Sequence, residues 1–171
     1  MDNYYSFLKE QDEDSSIFYY FVTSQNFVYT VYFKVDEYSH YIQNFPLLLQ
    51  SGYALGFRKT SLAGNESNKL YDAKIFPTIY QVINDFVEFN GSETVLLYHC
   101  DTSDKKQRER SRLFDKWESY VKVTCLERHN VEVRINESSY YLGFIANSNN
   151  SNIEVLKHEF NDFAYFIIRE K

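Results

Sequence analysis

The sequence predicts an α+β fold, a mainly antiparallel sheet with two to three packed helices. Three observations carry that expectation. Aromatic residues make up 19% of the chain, with 16 Tyr and 15 Phe, and flat rings pack well on a pleated surface, so they point to strands. Two segments, near 77–89 and 104–120, space their apolar residues at intervals of three and four, the period of a helix with one buried face. With only 5 Gly and 2 Pro, the chain has little room for low-complexity linkers.

The elements follow in order. Residues 1–15 close on the acidic run Glu10-Gln11-Asp12-Glu13-Asp14 and are expected to be a solvated, flexible lead-in. Residues 16–171 are expected to form a single domain. Ile17 to Val22 and Phe27 to Val35 flank the polar break Thr23-Ser24-Gln25-Asn26, the pattern of a β-hairpin. Residues 36–50 fit neither period, and Pro46 interrupts any helix across them. Tyr53 to Lys59 reads as a third strand. Residues 61–75, with Gly64, Asn65, Ser67 and Asn68, read as a long surface loop.

A helix is expected to start at Pro77, since the first turn tolerates a missing N–H. Ile79, Val82, Ile83 and Phe86 give it an apolar face, and Asn90-Gly91 would end it in a left-handed cap. Thr94 to Tyr98 is a continuous apolar run, the mark of a strand buried on both faces. A second helix is expected from Asp104 to Tyr120, then a strand from Val121 to Glu127. Val131 to Ile135 and Tyr140 to Ala146 read as a hairpin across residues 136–139. A short helix around Glu154 to Phe160, capped by Ser151 or Asn152, precedes Phe163 to Arg169. That last run reads as a strand, with a continued helix as the alternative.

Charge and composition narrow the function. The formal net charge is −6, against the cationic face that a general nucleic-acid coat needs. Nucleic acid is therefore not the expected partner, though the composition leaves room for one local basic patch. Cys100 and Cys125 make no disulfide framework and suit a reducing cytoplasm. The N-terminus lacks a basic and then apolar leader, and no run approaches the length of a membrane span. His40, His99, His129 and His158 have no metal-ligand spacing, so no metal is expected, and the residues indicate no cofactor. His99 and Cys100 are neighbours on a strand and point to opposite faces. An inert buried thiol is the simpler reading of Cys100.

The segment from Cys100 to Trp117 carries the strongest signal. It leaves the C-terminal end of the most apolar strand and opens a helix. Thr102 or Ser103 is of the N-cap type, and Asp104 suits the positive end of the dipole. The anchors Leu113, Phe114 and Trp117 lie in the second half. Lys105, Lys106, Arg108, Arg110 and Arg112 crowd the first. Arg108 and Arg112 share a face. One reading makes this an anion site, with Asp101, Ser103, Asp104, Arg108, Arg110 and Arg112 around the ligand. The other makes it a solvated helix face, its basic residues paired with Glu109 and Asp115.

The residues Cys100-Asp101-Thr102-Ser103-Asp104, Gln107, Arg110, Arg112, Leu113, Phe114 and Trp117 resemble a motif in a family of small bacterial proteins of unknown function. Tyr71-Asp72 and Thr78-Ile79 resemble it too, so the likeness covers most of the chain. In architecture the order of strands and helices is similar to the core of acyl-CoA N-acetyltransferases. That resemblance implies that the helix bearing Arg112-Leu113-Phe114-Asp115-Lys116 lines a cofactor cleft. It also implies a Gly-x-Gly phosphate loop, a motif this chain does not contain.

Two functions are therefore expected. The first is a cytoplasmic binding or regulatory module that holds a phosphate-bearing small molecule or an acidic protein partner at 101–112. The second is a divergent acyl-CoA-dependent N-acyltransferase or other small-ligand enzyme. The missing phosphate loop favours the first.

Overall fold

A computed structural model describes residues 3–35, 37–64, 71–100, 105, 107–121 and 125–170, without the side chains at 107, 109, 110, 117, 118, 120 and 121. The strands are β1 (Leu8–Gln11), β2 (Ile17–Val22), β3 (Phe27–Lys34), β4 (Gly52–Ser61), β5 (Val95–His99), β6 (Leu126–Ile135) and β7 (Ser138–Asn147). The α-helices are α1 (Pro46–Ser51), α2 (Ile75–Asn90), α3 (Gln107–Val121) and α4 (Ile153–Glu170). The strands form a sheet in the order β1-β2-β3-β4-β5-β7-β6. It is mostly antiparallel, with β4 and β5 parallel through Gly52–Ala54 and Val95–Leu97. The fold is thus α+β, as expected.

The chain divides into two compact units. The first, Met1–Lys34 with Leu55–Phe89, holds β1 to β3, most of β4 and α2. Its hairpin turns as expected at Thr23–Asn26. Asn26 takes a φ of 60°, and Thr23 Oγ1 accepts from the Phe27 N–H. Tyr19, Phe21, Val31 and Phe33 are buried on one face. The Phe33 ring stacks on Phe86 of α2, centroids 3.8 Å apart. Each such buried ring contributes about 1.5–3 kcal/mol. Tyr19 Oη donates to Asp85 Oδ2 at 2.6 Å. Burial first, and then that carboxylate, push the Tyr19 hydroxyl far above its ordinary pKa.

α2 starts at Ile75 rather than Pro77, and Pro77 still sits in the first turn, where no intrahelical N–H bond is lost. Gly91, with φ 97°, follows its end. The segment expected as a lead-in contains a strand. Leu8–Gln11 pair antiparallel with Ile17–Tyr20. All four residues of β1 are exposed, so the strand is held by its backbone bonds and by Lys9, whose Nζ lies 3.4 Å from Asp85 Oδ2, and leaves no apolar pattern to read.

The second unit, Val35–Ala54 with Asn90–Lys171, holds α1, β5, β6, β7, α3 and α4. Pro46 does not break a helix but begins one, at the first position of α1. Glu159 of α4 accepts the Leu48 N–H at 2.9 Å, satisfying a donor that a helix start leaves open. Of the expected strand at 121–127, Val121 ends α3, residues 122–124 lie outside the described residues, and Leu126–Glu127 open β6, which also takes in the first hairpin strand. The β6–β7 turn is the two residues Asn136-Glu137, with Asn136 at φ 54°.

The expected last strand at Phe163–Arg169 is the second half of α4. Leu156, Phe160, Phe163, Ala164, Ile167 and Ile168 are buried, a spacing of three and four that only a helix turns to one side. They close over Phe144, Leu97 and Leu48 in one core. Phe144 meets Phe160 edge-on at 5.2 Å.

Candidate functional site

β5 is buried from Val95 to Tyr98, so the sheet fixes where the chain emerges. Cys100 extends the pairing by donating its N–H to the Tyr141 carbonyl at 2.9 Å. Residues 101–104 follow and lie outside the described residues, and with them the expected ligand groups Asp101, Ser103 and Asp104. Lys105 is exposed with φ 58°, in the left-handed region. The helix is described from Gln107 rather than from 104.

One side of α3 is anchored. Phe114 is buried and stacks on Tyr98, centroids 4.1 Å apart at 11°. Tyr98 Oη accepts from Arg128 Nη1 at 3.1 Å. The Arg128 side chain is 4% exposed and donates Nη2 to Asp115 Oδ1 at 2.6 Å. Burial pushes the Tyr98 hydroxyl well above its ordinary pKa, and the Arg128 guanidinium opposes that rise. Gly143 makes room for the ring, since a Cβ there would stand 2.2 Å from Tyr98 Oη. Leu113, expected to be buried, is half-buried, because it lies a 100° step round the helix from Phe114. The Trp117 side chain, expected in the core, falls outside the described residues.

The other side of α3 is basic. Arg108 and Arg112 are exposed, and so is Lys116. At 100° per residue, three positions four apart stay within about 80° of arc and run about 12 Å along the axis. Among the described residues none of these three side chains makes an ion pair or hydrogen bond. The expected pairing of the helix's own basic residues with Asp115 is replaced by Arg128 from β6. The Arg110 and Glu109 side chains lie outside the described residues. So the structure brings together Arg108 and Arg112 of the expected set and adds Lys116. The four-residue step pointed to Lys116. Nothing local pointed to Arg128.

Other chemistry is sparse among the described residues. No group of three His, Cys, Asp or Glu side chains there could hold a metal ion. His129 is engaged with Asn161 at 2.8 Å. Cys100 is buried and Cys125 exposed, and neither is in a disulfide. No described helix is long and apolar enough to cross a membrane.

Fold and site together define an α+β protein with a mostly antiparallel sheet and one helix that carries a basic stripe. The chain belongs to a family of unknown function, DUF6169, whose model matches residues 71–162, more than half of its length. That span takes in α2, β5, α3, β6, β7 and the first part of α4. No curated protein matches the chain.

Proposed function

We propose that the chain is a cytoplasmic binding or regulatory module, and that α3 holds an anionic ligand or an acidic partner. The observation that carries this is the row Arg108, Arg112 and Lys116, exposed at four-residue steps and unpaired among the described residues. Guanidinium groups match carboxylate and phosphate oxygens in a two-pronged geometry. A row about 12 Å long suits several charges in line better than one. The chain as a whole is acidic, with a net charge of −6 that already includes these three cations. It would repel a long polyanion such as nucleic acid beyond the row. Two thiols outside any disulfide fit a reducing compartment.

A thermal-shift screen with inorganic phosphate, nucleotides, acetyl-CoA and a Glu-rich peptide tests this. A ligand at about 100 times its Kd stabilises by about 2.7 kcal/mol. Arg108→Ala with Arg112→Ala should abolish the shift and leave the unliganded melting point unchanged. No shift with any of these anions would remove the reading.

A second reading draws on the order α2, β5, α3, β6, β7, which is the order implied by the acetyltransferase resemblance. Under it the chain is a divergent acyl-CoA-dependent N-acyltransferase or other small-ligand enzyme. A shift with acetyl-CoA that survives the double Arg variant would favour it.

A further inference from the structure

A sheet face that meets water normally carries polar residues opposite its buried row. The first unit departs from this over most of its reverse face. Tyr19, Phe21, Val31 and Phe33 are buried on the α2 side. The alternate positions form the reverse face: apolar Leu8, Phe18, Tyr20, Val22, Val28 and Tyr32, with Glu10, Lys34 and the buried Thr30 as its polar members. Register sets Leu8 opposite Tyr20, Phe18 opposite Tyr32 and Val22 opposite Val28. Leu8 is 72% exposed and Val22 50%. The Phe18 ring lies 6.4 Å from both Tyr20 and Tyr32. Tyr32 extends over Gly56 of β4, where a Cβ would come within 2.1 Å of the ring. The unit's one described helix, α2, packs on the opposite side.

The margins of this face are oppositely charged. Glu10 stands on β1, level with Phe18. Arg58 stands on β4, two residues beyond Gly56 and so on the same side. Both are exposed, and neither makes a side-chain pair among the described residues. β1 and β4 are the outer strands of this four-strand stretch. A twofold axis along the strands, between two such faces, lays β1 of one copy over β4 of the other. Glu10 then faces the Gly56–Arg58 stretch twice, with Arg58 about 7 Å along the strand and within reach of its long side chain.

We propose that this face is where two copies of the chain associate, with the apolar rows packed together and a Glu10–Arg58 pair at each margin. Four strands span only about 14 Å between their outer axes. The contact therefore falls at the small end of specific interfaces, and the dimer is weak and concentration-dependent.

Sedimentation velocity of the full chain across the micromolar range tests this. The parent should shift from monomer to dimer. Val22→Lys, at a half-exposed position, should leave the melting curve unchanged and weaken association at least about tenfold. Glu10→Arg and Arg58→Glu should each weaken it about threefold, and the two together should restore it. A parent that stays monomeric throughout would overturn the proposal. So would a dimer indifferent to Val22→Lys, or a double reversal no better than the single changes. A monomer that binds single-stranded RNA, and loses it on Val22→Lys, would instead assign the face to stacked bases.

Discussion

Arg128 and Asp115 meet at 2.6 Å, the first almost wholly buried and the second half-exposed. They tie β6 to the middle of α3, one residue along from Phe114, which stacks on Tyr98. The basic row rests on a helix held at that point. Replacing Asp115 with Ala leaves a buried guanidinium short of an acceptor. The expected loss is about 1–2 kcal/mol, since one partner stays reachable by water. Asp115→Asn keeps an acceptor oxygen and should cost less. Urea unfolding of the two variants checks the order, and equal midpoints for parent and Asp115→Ala would contradict it.

Phe114 is the stronger anchor. Its truncation to Ala should cost about 3–5 kcal/mol, because the ring is buried against Tyr98. Leu113→Ala, at a half-buried position, should cost no more than about 1–2 kcal/mol. Thermal unfolding of the pair measures the difference. A larger loss at Leu113 than at Phe114 would reverse the assignment of the helix faces.

Gly143→Ala tests the floor beneath Tyr98. The new methyl would stand 2.2 Å from Tyr98 Oη and 2.8 Å from the His129 carbonyl oxygen. The second is backbone and cannot swing aside, so overpacking should cost about 1–3 kcal/mol. Near-parent stability on chemical denaturation would show that Tyr98 has another place to go.

Glu132 gives the acid response. Hydrogen bonds from Arg134, and then from Ser139, hold its carboxyl below its ordinary 4.5, at about 2. The folded pKa is depressed, so the stabilisation is present above about 4.5 and lost as pH falls towards about 2. Glu132→Gln should lower the melting point at pH 7 and flatten its decline across that window. Parallel melting-point profiles for the two proteins would contradict this.

Much of the fold was legible because local pattern and burial agreed. The β2–β3 hairpin had its polar turn, α2 its apolar stripe and β5 its unbroken apolar run. β1 was hidden, because all four of its residues are exposed and the one that turns to the α2 side is Lys9, which reaches Asp85 through its charged end. The end of α4 misled because Phe163, Phe166, Ile167 and Ile168 are strand-favouring types. The buried ones, Phe163, Ile167 and Ile168, extend an interval of three and four that tertiary packing imposes. At the site, Arg108 and Arg112 could be read from spacing alone. Arg128 could not, since β-pairing rather than chain proximity brings it to Asp115 and Tyr98.

We propose that the row on α3 binds anions. Isothermal titration of a Glu-rich peptide into the parent and into the Arg108→Ala, Arg112→Ala variant tests it most directly, at low and at high salt. The parent should bind at low salt and weaken as salt rises, since exposed charges are screened within about 8–10 Å. The variant should bind at least about tenfold less tightly with an unchanged melting point. Equal affinity in the two proteins, or no binding by the parent at low salt, would contradict the claim.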